Sequence, residues 1–480
     1  MINTELERLI GDECSFSMTE DQKQAVTAIS DFLCSSVNEG VFLLNGYAGT
    51  GKTSLVSALV RVLVRLRQNV VLLAPTGRAA KVFALNSDYK ALTIHKKIYR
   101  QKTFSESLSN FSLNNNLHKH TLFIVDEASM ISDSLDGDMS FGSGSLLDDL
   151  VHYVYAGESC RLMMVGDVAQ LPPVGGGFSP ALVPDCLKKY GLKVWYSSLK
   201  TVVRQQQMSG ILWNATVLRQ MVLSDSYMVF PRVRFMGFPD VKRVSGDELI
   251  EQLEDSYSKC GFDQTVVITR SNKRANIYNN GIRNRILYRE EELCSGDQLL
   301  VVKNNYYWAA QQKVEAFEFI ANGDVAEVRR VRRERQLYGF RFADVLLRFP
   351  DYDNEEMEVT VLLDTLRSEA PALTREQHEK LFSEVEQDYA DITVRRERMK
   401  KMKQDSYLNA LQVKYAYALT CHKAQGGQWG HVFVDQGYLT EEMLTPDYYR
   451  WLYTAFTRAS ECLFLVNWPD KQTDNPVNME

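Results

Sequence analysis

The stretch VFLLNGYAGTGKT, residues 41–53, followed by the apolar-periodic SLVSALVRVLVRLR at 54–67, decides the fold. A near-continuous apolar run ending in glycine is what a strand buried on both faces of a parallel sheet requires. The glycines that follow free the backbone to wrap its N–H groups around phosphate at the start of the next helix. Lys52 then reaches the β- and γ-phosphates, and the Thr53 hydroxyl helps hold Mg²⁺. Gly46, Gly49, Thr50, Gly51, Lys52 and Thr53 are therefore the expected ATP-binding residues. At ordinary residue frequencies chance supplies about 0.02 such matches in a chain of this length.

Similar apolar bursts recur at NVVLLAP (69–75), TLFIVDE (121–127), RLMMVGD (161–167), TVVITR (265–270), HVFVD (431–435) and CLFLVNW (462–468). Their grouping predicts an α/β protein with two parallel sheets. The carboxyl ends of parallel strands share one rim, where ligands bind. Asp126 ends such a run and is placed to serve the metal, while Glu127 beside it can orient or deprotonate the attacking water. Gln170, in VGDVAQLPP, exits another strand toward the same rim. Arginines from beyond the first sheet can stabilise charge developing on the transferred phosphoryl group, and Arg204 and Arg458 are the candidates.

The chain has 480 residues, 55 Lys+Arg against 61 Asp+Glu and a net charge of −6, which excludes a wholly basic, histone-like binder but not a local basic groove. Its length allows two to four domains. Eight cysteines are scattered without a C-x-x-C pair, and no signal peptide or long apolar span is evident, so a cytoplasmic protein without a membrane segment is expected. The expected domains are 1–195, 196–285, an inserted 286–410 block, and 411–480. Gly-Asp and Asn-Gly-Asp turns in the insert point to a small antiparallel β-unit, and a charged helical stretch follows from Leu373. The Ser/Gly-rich 134–145 piece reads as a surface loop.

In order, GYAGTGKT, APTGRAA, TIHK, IVDEASM, VGDVAQLPPVG, VVRQ, TCHKAQG and LYTAFTRA resemble the superfamily 1 DNA helicases of the 5′→3′ type, in the RecD/Dda-like branch. The resemblance implies two RecA-like domains that close on ATP and Mg²⁺, a monomer that walks along single-stranded DNA toward single-strand/duplex junctions, and work in DNA repair, recombination or replication. It makes Gln22 the adenine-reading residue, Thr53 and Asp126 the metal residues, Gln170 the γ-phosphate sensor, and Arg204 and Arg458 the second-domain arginines. Pro75, Thr76, Arg78, His95, Thr420, His422 and Lys423 resemble DNA-contacting positions. Gln428 stands where relatives usually place a ribose-binding glutamate. The 100–120 segment corresponds to a duplex-splitting β-hairpin pin, with Phe104 or Phe111 as its stacking residue. The 286–410 insert resembles an SH3-like barrel. Two other functions compete: a non-translocating P-loop ATPase switch or remodeller, and an RNA or hybrid helicase of the same fold.

The net charge has a local source. Residues 351–370 hold seven acids against Arg367, or 1 − 7 = −6, so the rest balances to zero. That acidic face is expected to turn away from the DNA track. The basic run Arg395, Arg396, Arg398, Lys400, Lys401 and Lys403 is expected to be a solvated helix face, with DNA contact or docking against the pin as the sharper alternative.

Overall fold

Each of the seven apolar bursts becomes a strand in one of two parallel sheets. The computed structural model describes residues 2–101, 111–133, 142–203, 209–224, 227, 229–312 and 319–474. The first eight strands are β1 (Gly40–Gly46), β2 (Asn69–Ala74), β3 (Ala91–Thr93), β4 (Tyr99–Gln101), β5 (Phe111–Leu113), β6 (Thr121–Val125), β7 (Arg161–Gly166) and β8 (Lys193–Leu199). Six of them form the first sheet in the order β3-β2-β6-β7-β1-β8, all parallel. Every residue of β1 and β6 is buried, as a strand with helices on both faces demands. β4 and β5 pair antiparallel as the stem of the expected hairpin. Phe104 lies outside the described residues, as does the side chain of Phe111. Residues 134–141 of the expected surface loop are also outside them.

The remaining strands are β9 (Val241–Val244), β10 (Thr265–Thr269), β11 (Gln298–Val301), β12 (Val325–Leu337), β13 (Phe340–Phe349), β14 (Glu355–Leu362), β15 (Leu411–Tyr415), β16 (Ala418–Thr420), β17 (Trp429–Asp435) and β18 (Ala459–Val466). The second parallel sheet runs β16-β10-β17-β18-β9, and β11 to β15 close a five-stranded barrel. The architecture is thus two RecA-like domains with a β-hairpin and a barrel insert, as the sequence leads one to expect. Two expected boundaries move. β8 extends the first sheet to Leu199 rather than 195, and β15 carries the barrel to Tyr415 rather than 410.

Buried charge ties the barrel to the second domain. Asp297, in the turn before β11, is fully buried and accepts from Arg283 Nε and Nη2, both at 3.0 Å, from Arg289 Nη1 at 2.6 Å, and from the Cys294 amide at 2.7 Å. Such a carboxylate is tolerable only because its lone pairs are filled by charged donors. Beyond the barrel, the helices Arg375–Asp388 and Arg395–Met402 pack around Phe340, Phe342, Leu381, Val385 and Met402. Arg398 of the basic run is spent on Glu386, 3.4 Å away.

The acidic stretch is not turned away as expected. Lys81 on the first-domain helix Gly77–Ser87 pairs with Asp351 at 2.8 Å, so the stretch docks on that domain. Three of its other six acids pair with barrel arginines: Glu356 with Arg329, Glu358 with Arg332 and Asp364 with Arg341. A second contact lies beside the first. Asp324, fully buried in the Asn-Gly-Asp turn, accepts from the Ala321 amide and the Tyr352 hydroxyl, while its Oδ1 has no hydrogen-bond partner. A Cβ at Gly77 would fall 2.2 Å from that oxygen, so only glycine permits the approach.

Two stability predictions follow from these carboxylates. Asp297→Ala strands the buried Arg283 and the half-buried Arg289 and should cost about 3–5 kcal/mol in denaturant unfolding. Burial pushes Asp324 up to about 7, with Asp351 adding to it, against the lowering pull of its two donors and Lys96. A carboxyl raised in the folded state contributes stability at low pH that is lost as pH climbs through about 7. Asp324→Asn should therefore unfold at higher temperature than the parent at pH 8 and close to it at pH 4, a gap on the order of 1–3 kcal/mol in thermal melts.

Candidate active site and nucleic-acid groove

The loop after β1 is shaped by two glycines in the left-handed region, Gly49 at φ +75° and Gly51 at φ +78°. Lys52 opens the helix Lys52–Arg65, and its ammonium donates back to the carbonyls of Gly46 at 2.7 Å and Tyr47 at 3.0 Å. The ring of donors that phosphate would engage is thus assembled around the lysine. Gln22, fully buried on the helix Glu20–Cys34, gives its amide to Thr50 O at 2.9 Å and accepts from the Thr19 amide at 2.9 Å. The structure thus places it under the loop as a brace.

Asp126 and Glu127 follow β6. Glu127 has φ +51°, a conformation that non-glycine residues rarely adopt, and its amide donates to Asp126 Oδ1 at 2.8 Å. Burial, with the charge of Glu127 beside it, pushes Asp126 up to about 7, while Lys52 pulls it back down. A desolvated carboxylate is a hard oxygen donor of the kind Mg²⁺ takes, and Thr53 follows Lys52 in the first turn of its helix. The residues present therefore fit a magnesium nucleotide. Gln170 is buried after β7, and its Oε1 has no hydrogen-bond partner, an unmet acceptor at the strand-end rim.

The second domain closes onto these loops through the helix Pro446–Phe456 and the turn after it. Thr454 Oγ1 accepts the Leu171 amide at 2.9 Å, Arg450 donates to Val168 O at 3.1 Å, and Gln425 donates to Leu171 O at 2.8 Å. Tyr453 Oη accepts the Ala48 amide at 2.9 Å and donates to Asp167 Oδ2 at 2.5 Å. Arg458, only 4% exposed, stands 3.9 Å from Glu127 and is steadied by the carbonyls of Thr454 and Gly427. Arg219 stacks on the Tyr47 ring at 4.3 Å. Arg204 lies outside the described residues.

The expected DNA positions fall between the domains and beneath the barrel. Thr76 caps the helix Gly77–Ser87, accepting from the Ala79 amide at 3.2 Å, and follows Pro75 at the end of β2. A Cβ at Gly426 would sit 3.2 Å from Thr76 Oγ1, so the loop after Thr420, His422 and Lys423 abuts this helix end. His422 is exposed there, and Lys423 donates to Asn322 of the barrel at 2.8 Å, with burial pushing its ammonium down to about 8. His95 lies on the short helix Ile94–Ile98 beside Tyr99, and burial pushes it down to about 4, so it is neutral. Arg78 differs from expectation. Its guanidinium stacks 3.9 Å from the Trp429 ring centre and donates to Gln428 O at 3.2 Å, which makes it an interdomain clasp. The exposed Gln428 side chain is accordingly next to Arg78.

Sequence reasoning missed Tyr453, Thr454, Arg450, Arg219 and Trp429. One signal was available: Arg450 and Thr454 are four residues apart and so share a helix face.

The site and fold define a P-loop ATPase in which a helicase-type second domain supplies groups to the first. An AAA domain profile matches residues 17–221, and a UvrD-like helicase C-terminal domain profile matches 415–466. The chain thus carries an AAA domain followed by a UvrD-like helicase C-terminal domain. It is similar to an uncharacterised protein of Acanthamoeba polyphaga mimivirus, 22% identical over 92% of this chain and 98% of that one. It is 33% identical over 138 residues to the ATP-dependent RecD2 DNA helicase of Deinococcus radiodurans, covering 28% of this chain and 16% of that protein. Among solved structures, Bacteroides Pif1 bound to single-stranded DNA is similar over 95% of this chain and 94% of that one, with 16% identity and a TM-score of 0.49. No described helix is long and apolar enough to cross a membrane.

Removing the Arg458 guanidinium should separate binding from chemistry. Arg458→Ala is expected to retain ATP affinity within a few-fold while phosphate release falls at least about a hundredfold. Nucleotide titration alongside steady-state turnover checks this, and turnover near the parent's would remove Arg458 from the chemistry.

Proposed function

We propose that this chain is an ATP- and Mg²⁺-dependent helicase that translocates 5′→3′ on single-stranded DNA and separates the duplex ahead, acting as a monomer in the cytoplasm in DNA repair, recombination or replication. The observation that carries this is Arg458 of the second domain standing 3.9 Å from Glu127 of the first. One chain thus supplies both faces of the ATP site, which supports monomer action. When bound, the magnesium ion would neutralise phosphate charge between Thr53 and Asp126. Lys52 would leave the Gly46 and Tyr47 carbonyls to bind phosphate. Glu127 orients the attacking water and takes its proton, while Gln170 accepts from the same water through its unmet Oε1 or donates Nε2 to the γ-phosphate. Arg458 approaches only when the domains are closed, so hydrolysis is confined to that state.

The groove is built for a single strand. Thr76 and Lys423 come from opposite domains, so closing and opening the ATP site changes the spacing of contacts along one DNA backbone. A groove of this kind holds strands by backbone charge and polar contacts. The hairpin stem β4–β5 leaves the first domain beside His95, which suits a strand-separating pin.

An unwinding assay on 5′-tailed and 3′-tailed duplexes, in DNA and RNA, tests the proposal. Strand separation is expected with ATP on 5′-tailed DNA alone. Activity only on the 3′ tail would overturn the polarity, preference for RNA would move the substrate class, and DNA-stimulated hydrolysis without unwinding would make the chain a switch or remodeller.

A further inference from the structure

Tyr453 occupies an unusual place for a residue that contacts no strand-end acid expected to do chemistry. It is 1% exposed, and its hydroxyl is shared between a backbone amide of the phosphate loop and the carboxylate of Asp167, itself fully buried. The remaining Asp167 oxygen accepts the Ala169 amide at 2.9 Å. Proton counting fixes the direction of the chain. Ala48 N–H donates to the phenol oxygen, and the single phenol proton goes to Asp167 Oδ2. Burial and the Asp167 charge raise the phenol well above its usual range, which keeps that proton in place.

We infer that Tyr453 is a positioning residue that lets the second domain hold the phosphate loop and the Asp167–Gln170 loop in one register, so that domain closure and assembly of the hydrolytic site are a single event. The inference rests on the ATPase reading above and deepens it. Tyr453 and Thr454 are consecutive, and each holds one of the two loops: Tyr453 takes Ala48, and Thr454 takes Leu171. The same helix delivers Arg458 to Glu127. If the domains part, Ala48 N–H and Asp167 Oδ2 lose their partner together, and a buried unpaired carboxylate is costly enough that partial opening is disfavoured. The loop around Lys52 therefore has one shape when Arg458 is present and is released when Arg458 leaves.

The test uses the full chain as Tyr453→Phe, Asp167→Asn and the pair, measuring ATP turnover against ATP concentration with and without single-stranded DNA, and thermal melting beside it. Phenylalanine keeps the ring and removes only the hydroxyl. Turnover number should fall about tenfold or more with KM within about threefold of the parent, and the pair should lose no more than the worse single variant. A turnover number within about twofold of the parent's, or losses that multiply in the pair, would overturn the inference. Should Tyr453→Phe fail to fold, Asp167→Asn, which weakens the same bond without changing shape, is judged by the same turnover criterion. A parent chain without ATPase activity would defeat the proposed function itself, whereas an active parent matched by an equally active Tyr453→Phe would defeat only the role of the tyrosine.

Discussion

The structure depends on the phosphate loop being packed into the core of the opposite domain. Tyr47, Ala169 and Leu171 come from the first domain, yet they lie in the hydrophobic cluster built by Trp429, Tyr449, Leu452 and Phe456 of the second. Buried apolar contact supplies the attraction, and the hydrogen bonds from Tyr453, Thr454, Arg450 and Gln425 supply the register. Each such bond is worth only about 0.5–1.5 kcal/mol net. An interface assembled from a handful of them is firm enough to define one closed geometry and weak enough to be opened by a nucleotide cycle.

The barrel acts as a brace across this moving joint. Asp297 fixes it rigidly to the helix carrying Arg283, whereas its contacts with the first domain, through Asp324 at Gly77 and Asp351 at Lys81, are fewer. The Asp324 and Asp351 contacts fall on the helix that begins beside Thr76, while Tyr306 packs against the first-domain core. The chain's excess negative charge, concentrated in residues 351–370, is absorbed in part at this joint and by barrel arginines.

The parallel strands and the catalytic loops were legible in sequence because double-sided burial leaves an apolar run and phosphate binding leaves glycines. Elements at edges were not. β9 is VKRV, two buried residues and two exposed, and β8 is mostly half-buried at the margin of its sheet. β15 was hidden for a different reason. Its polar letters, Gln412 and Lys414, look like a linker, yet both are buried; Gln412 accepts the Leu373 amide, and the Lys414 ammonium is held by the carbonyls of Thr365 and Ser368. A buried lysine satisfied by backbone carbonyls cannot be told from a surface lysine by its letter. The site shows the same limit: Lys52, Asp126 and Glu127 are fixed by local motif chemistry, while the partners of Tyr453 lie 286 and 405 positions away in the chain.

Arg78 shows why residue type and motif position together still fall short of a role. By motif position Arg78 resembles a DNA-contacting residue. In the folded chain its planar face covers Trp429 and its edge meets the Gln428 carbonyl, an arrangement worth about 0.5–2 kcal/mol where partly desolvated. That geometry exists only when the domains are together, because Arg78 and Trp429 belong to different sheets. The helix Gly77–Ser87 therefore presents Thr76 to the groove at its end and Arg78 to the opposite domain on its side. Since both residues ride on one turn, the cap at Thr76 and the contact of Arg78 with the second domain are joined by a single short stretch of backbone.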